Sequence, residues 1–267
     1  MLRCSELFRE AVRFAGSGPH MLVLGVLVSL VGPAHAANIT PDVIFGSGNA
    51  NGDFTVSQSD GVELGLRAKL RFDDTNQPQN VFNYDGTDTY TFEAGLPPTG
   101  FGFAPGSTST AVWNFEWSIN TNFDGSTNLM LDDLTYAIRI DSDPSLATSF
   151  LEFDLINVPY ADHAIGTNAT LNGDGTVAAD GIEYAALIDA NNVAQNSWNM
   201  EFFFDAPDFN GNDVGTYEIQ LEAFDSLGQS VASTSITVNS VAVPEPGAAL
   251  LAAVALLFTS QAARRRA

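Results

Sequence analysis

Oxygen-bearing side chains recur at alternate positions in two stretches of the chain. Asn49, Asn51, Asp53 and Asp60 fall at positions 1, 3, 5 and 12 of the segment Asn49-Ala-Asn51-Gly-Asp53-Phe-Thr-Val-Ser-Gln-Ser-Asp60, the spacing with which an EF-hand-like loop surrounds calcium. Phe54 stands where such a loop needs glycine, and Asp60 is a shorter arm than the usual bidentate glutamate. Asn172, Asp174 and Asp180 repeat the wording, Asn-Gly-Asp-x-Thr-Val followed by Asp-Gly-Ile-Glu, here with Thr170 at position 1 and Gly181 at position 12. Asn-Gly is also a strong tight-turn signal. Both readings therefore stand: calcium held by these oxygens, or plain turns feeding a strand at Phe54 and a helix at Asp180. The expectation is no cofactor, with calcium as the one ion these residues suit.

Other chemistry is sparse. Residues 37–267 contain one histidine, His163, beside Asp162, and there is no Gly-x-Ser-x-Gly elbow, no His-Glu-x-x-His and no Gly-rich phosphate loop. Glu116, Glu152, Glu201 and Glu218 sit in strand-like segments, and a pair of carboxylates roughly 5 to 10 Å apart across a sugar-binding cleft is all that glycoside hydrolysis requires. A carbohydrate-active enzyme flanked by Trp113 or Trp117 rings is thus the alternative reading. The leading one is that the chain is not an enzyme, because no residue set has the spacing and partners that a mechanism demands. Arg67, Lys69 and Arg71 alternate along one segment, so they share a face opposite Leu66, Ala68 and Leu70. They are expected to form a solvent-facing stripe, either paired with acidic neighbours or docking an anionic exopolysaccharide.

The elements that must position these residues are strands. Val62, Leu64, Leu66, Ala68, Leu70 and Phe72 lie on one face with Glu63, Gly65, Arg67, Lys69 and Arg71 on the other, and Trp113, Phe115, Trp117 and Ile119 repeat that period of two. So do Leu134, Tyr136, Ile138 and Ile140. Further strand-like stretches appear at 87–92, 150–156, 198–204, 216–224 and 231–238, and Asp85-Gly86, Asp124-Gly125, Asn210-Gly211 and Leu227-Gly228 mark turns. This predicts an all-β chain, an antiparallel β-sandwich of Ig-like or jelly-roll-like type closed by a hairpin from Gly215 to Val238. One short helix, capped by Asp180 and reaching Ala190, is predicted to plug an end of it. The Pro-, Gly- and Ser-rich stretch from Leu96 to Thr110 reads as a long loop.

The chain's two ends carry addresses. Arg3, Arg9 and Arg13 precede the apolar run Met21–Val31, and Ala34-His35-Ala36 is a small-residue cleavage site, the three parts of a secretory signal peptide with cleavage by signal peptidase after Ala36. Cys4, the one cysteine, leaves with that segment. At the other end Val243-Pro244-Glu245-Pro246 is followed by an apolar run and by Arg264-Arg265-Arg266. The 17 residues from Gly247 to Ala263 make a helix of about 26 Å, slightly short of the roughly 30 Å hydrocarbon core. Arginines at its far end place that end in the cytoplasm. This tail resembles the tripartite signal of PEP-CTERM proteins, which implies recognition and cleavage near the motif by a membrane-embedded exosortase in exopolysaccharide-producing bacteria. The wording at 60–71, 113–120, 162–166 and 194–199 is also similar to a group of exported PEP-CTERM proteins, which implies a surface location and no particular activity.

The expected organisation is therefore a signal peptide at 1–36, an acidic β-sandwich domain at 37–242 and a sorting signal with a transmembrane helix at 243–267. Residues 37–246 hold 30 acidic against 4 basic side chains, which excludes nucleic acid as a partner and keeps an exported protein soluble. The functional expectation is an exported cell-surface or extracellular-matrix protein, transiently membrane-anchored, acting by binding or structure in an exopolysaccharide or biofilm setting.

Overall fold

The computed structural model of the chain describes residues 35–37 and 42–243, apart from 47, 74–78 and 101–105. The expected signal-peptide helix with Ala34, and the expected sorting helix with Pro244, Glu245, Pro246, Arg264, Arg265 and Arg266, lie outside the described residues.

The described residues are mostly β, in two sheets with one α-helix. The first sheet contains β1 (His35–Ala37), β2 (Phe54–Ser59), β3 (Val62–Leu70), β5 (Trp113–Asn120), β9 (Val193–Trp198) and β8 (Ala164–Gly166), adjacent in that order. The second contains β4 (Thr89–Glu93), β11 (Ser230–Val241), β10 (Gly215–Phe224), β6 (Thr135–Asp141) and β7 (Phe150–Phe153). Pairing is antiparallel with one exception among the described strands: β4 runs parallel to β11, Tyr90 beside Val238. β2 and β3 lie against β11 and β10, so the two sheets share one core.

The alternation places the core as expected. Leu64, Leu66, Ala68, Trp113, Phe115, Trp117 and Ile119 from the first sheet meet Tyr136, Ile138, Ile140, Tyr217, Ile219, Leu221, Ile236 and Val238 from the second. Trp113 stacks near Phe92 and Tyr217, and Trp117 packs against Trp198. Buried aromatics of this size contribute most of the area removed from water. Helix α1 (Gly181–Ala190) starts where Asp180 Oδ1 accepts the Ile182 and Glu183 amides, both at 2.9 Å. It inserts Tyr184 and Ile188 into the core, with the Tyr184 hydroxyl donating to the Ile156 carbonyl at 2.8 Å.

One strand is displaced from its expected position. The apolar stretch from Trp198 to Phe204 is not a strand: β9 ends at Trp198 and a 3-10 turn follows at Met200–Phe202. Asn199 causes the break. Its Oδ1 accepts the Ala111 amide at 3.0 Å and its Nδ2 donates to the Ala111 and Trp113 carbonyls, which ties the side chain to β5 and turns the backbone out of the sheet.

The β2–β3 hairpin turns on two residues, Asp60 at φ +52° and Gly61 at φ +76°, the conformation of a primed turn matched to strand twist. A Cβ at Gly61 would lie 2.3 Å from Thr127 Cγ2 and 2.7 Å from Ser126 Oγ, whereas one at Gly228, also at positive φ, would meet nothing. Gly61→Ala is therefore expected to cost about 1–3 kcal/mol more than Gly228→Ala, the overpacking share of the penalty. Chemical denaturation of the two variants measures the difference.

Candidate functional site

The outer face of the first sheet, turned away from the core, carries Glu63, Arg67 and Lys69 on β3 and Asn114, Glu116, Ser118 and Asn120 on β5. A polar face of this kind ordinarily meets water. Here it is sealed, because the segment 42–53 runs across it before entering β2. Val43 and Phe45 pack on Phe54 and Val56, and Ile44 packs on Ala164 and Val193. The Ile44 amide donates to Gln195 Oε1 at 2.7 Å, and the Gly173 and Gly175 amides donate to the Val43 and Ile44 carbonyls. Segment 42–53 is thus a strap fixed to β9 on one side and to the loop before α1 on the other.

Three ionisable groups lie beneath the strap. Arg67 and Glu116 are cross-strand partners, Arg67 Nε donating to Glu116 Oε2 at 2.5 Å. Arg67 Nη1 donates to the Ala50 and Gly52 carbonyls of the strap at 2.8 and 2.6 Å, and its guanidinium lies between the Phe54 and Phe82 rings at 4.1 and 4.6 Å. Lys69 Nζ stands 2.5 Å from Glu116 Oε1, also donates to Asn49 Oδ1, and faces the Phe45 ring. Arg67 and Glu116 are 0 % exposed and Lys69 2 %. Burial pulls the Lys69 ammonium below the usual lysine range, and the Glu116 carboxylate offsets only part of that.

This overturns the expected solvent-facing stripe. Arg67 and Lys69 do lie opposite the core, as the alternation requires, but a second layer covers that face, so no polymer can dock along them. Arg71 falls beyond the end of β3, with its guanidinium 4.6 Å from the Phe72 ring. Arg139 completes the basic residues of the domain and bridges Glu152 and Glu222 on the neighbouring strands of the second sheet.

The calcium-like spacing has a different outcome from a loop. β2 occupies 54–59, so an extended strand of about 20 Å separates Asp53 from Asp60, and the twelve positions cannot close around one ion. Two of the oxygens have other partners, Asn49 Oδ1 meeting Lys69 and Asn51 Oδ1 accepting the Val43 amide at 2.8 Å, and Asp60 stands in the hairpin turn. Asp180 caps α1. The two echoing segments nevertheless meet, for Asn172 Nδ2 donates to the Asn49 carbonyl at 2.8 Å. Asp174 belongs to the turn that follows, its amide bonded to the Leu171 carbonyl. Among the described residues no group of three or more His, Cys, Asp or Glu side chains is placed to hold a metal.

The carboxylates considered for hydrolysis are dispersed. Glu116 is in the ion cluster, Glu152 faces Arg139, Glu201 accepts from the Thr110 hydroxyl at 2.7 Å, and Glu218 accepts from Gln220. Trp113 and Trp117 are in the core, so neither ring flanks a cleft. His163 does not face Asp162 as a dyad. It is fully buried, with Nε2 2.7 Å from the Leu155 carbonyl and Nδ1 accepting from Asn196 Nδ2 at 3.2 Å, and its ring meets the Trp117 ring edge-on at 4.7 Å between centroids. That pattern fits a neutral imidazole protonated on Nε2. An open groove of about 490 Å³ lies elsewhere, where the β6–β7 turn and Phe150 meet Phe204 and Asp208. Compared with protein-family models, curated proteins and solved structures, the chain matches none.

Burial lowers the His163 pKa to about 4, against about 6.5 in an unfolded chain. The unfolded state therefore binds the proton first, and the stability due to neutral His163 is complete above pH 6.5 and lost as the pH falls toward 4. The loss is on the order of 3 kcal/mol. Denaturant titrations at pH 7.5 and 4.5 are expected to show this decline in the wild type and a markedly smaller one in His163→Gln.

Proposed function

We propose that the chain is an exported, acidic cell-surface or extracellular-matrix protein, sorted through an exosortase-type system, whose two-sheet domain is an Ig-like or jelly-roll-like sandwich acting by binding or structure. The observation that carries this reading is the junction at its C-terminal side. β11 ends at Val241, and the segment Val243-Pro244-Glu245-Pro246 follows within two residues. Two prolines there prevent any continuation of the strand pairing into the apolar run. The domain thus finishes its last hydrogen-bonded strand immediately before the motif, as a sorting segment accessible to a membrane enzyme needs.

The N-terminal side is compatible with processing. β1 is three residues long and spans the bond after Ala36, pairing only with β2. The strap and every strand from β2 onward lie downstream of that bond. Signal peptidase cleavage there removes two residues of an edge strand and leaves the shared core intact.

A binding or structural role is favoured over carbohydrate hydrolysis by the fate of the two tryptophans and of Glu116, all enclosed within the domain. Ligand contact in the matrix falls on outer surface such as the groove at Phe150 and Phe204. Asp143 and Asp208 line that groove, which disfavours an acidic polymer and suits a neutral one.

Sorting is tested at the far end of the tail. Replacing Arg264, Arg265 and Arg266 by serine removes the expected cytoplasmic anchor, so membrane retention and processing should fall in a host that carries the sorting enzyme. Fractionation and immunoblotting read the outcome, and unchanged processing of the triple variant would refute the proposal.

A further inference from the structure

A lysine, an asparagine and a glutamate meet beneath the strap in an arrangement that the export reading does not use. Lys69 Nζ contacts both Glu116 Oε1, at 2.5 Å, and Asn49 Oδ1. Asn49 is held with its carbonyl side toward the lysine, because its Nδ2 donates to the Phe45 and Gly46 carbonyls at 2.9 and 2.7 Å. The strap is shaped to admit it. Gly46 stands at φ +59°, and a Cβ there would come within 2.9 Å of Asn49 Nδ2.

From this geometry we propose that Lys69 and Asn49 form a covalent isopeptide bond, with Glu116 carrying the protons. The reagents are an amine and a carboxamide already in contact, and the positioning of a near-attack pair replaces the encounter that makes such a reaction negligible in water. Burial of Lys69 beside a second cation, Arg67, with one carboxylate between them favours the neutral amine, the form with a free electron pair. Glu116 takes one proton from Nζ, and the amine attacks Asn49 Cγ. The Nζ–Cγ bond forms and the Cγ–Nδ2 bond breaks. The two protons lost by the ammonium depart with Nδ2 as ammonium, and Glu116 ends as the carboxylate it was. Nothing is oxidised or reduced, and no cofactor is consumed.

The product would staple the strap to β3 across a separation of 20 residues. A cross-link of that span restricts the unfolded chain in the way a disulfide does. Residues 37–267 contain no cysteine, so an amide is the staple this sequence has available. The inference is independent of sorting and holds wherever the domain folds.

Peptide mapping of the purified full chain tests it. Trypsin should fail to cut after Lys69, and the peptide ending at Arg67, which contains Asn49, should be recovered joined to Ala68–Arg71 with the mass of one ammonia missing. Lys69→Met, Asn49→Ala and Glu116→Gln should each return separate, full-mass peptides. Asn49→Asp should still link, losing water instead and giving the same cross-linked mass. Free Lys69 in folded wild-type protein would overturn the proposal whether or not the variants fold. So would an ammonia loss that maps to a cyclic imide at Asn51-Gly52, Asn172-Gly173 or Asn210-Gly211 with Lys69 unmodified, and linkage undiminished in Glu116→Gln would remove Glu116 from the chemistry.

Discussion

Glu116 holds two cations in a place where water is excluded, and the outer half of the first sheet is organised around that constraint. Taking charges out of water costs several kcal/mol per ion, recovered only when each is paired and its remaining donors are satisfied. The β3–β5 register supplies the pairing by setting Arg67 opposite Glu116 and Lys69 one pleat further along the same face. Two carbonyls of the strap, those of Ala50 and Gly52, accept from Arg67 Nη1, whereas its Nη2 is buried with no hydrogen-bond partner. The strap is therefore as much a part of the fold as any strand. If it lifted, Arg67 would lose its carbonyl acceptors and Lys69 its aromatic cover from Phe45 together.

The same constraint explains why the chain repeats its Asn-Gly-Asp wording. The first copy forms the end of the strap, where Gly52 and Asp53 stand at φ +91° and +56° and turn the chain into β2. The second forms a turn whose Asn172 reaches back to the Asn49 carbonyl, while the Gly173 and Gly175 amides grip Val43 and Ile44. Two similar turns clasp each other across the sheet. Short polar side chains that bond to nearby backbone suit this task.

His163 and two buried tyrosines are held by hydrogen bonds inside the domain. His163 sits among Trp117, Tyr184 and Trp198 with both ring nitrogens bonded, and Tyr184 and Tyr136 direct their hydroxyls to backbone carbonyls at Ile156 and Leu131. Across residues 37–246 acidic side chains outnumber basic ones by 30 to 4. A domain built in this way keeps His163, Trp113, Trp117 and Glu116 away from solvent.

Much of the fold was legible in the sequence. A period of two in Val62–Phe72 and Trp113–Ile119 fixes which residues face the core, because successive side chains on a strand must point to opposite sides. Asp180 announced its helix, since a side chain that accepts two free amides is a local device. The end of β9 was misread because Asn199 acts through β5, far away in sequence. The basic stripe was misjudged for the same reason: alternation assigns Arg67 and Lys69 to the face opposite the core, but it cannot say what lies over that face. Only the tertiary structure brings residues 42–53 across the sheet and sets Asn49 against Lys69 and Glu116. A separation of 49 residues between Arg67 and Glu116 leaves no periodic trace, so the burial of charge was decided by strand register and by the path of the strap.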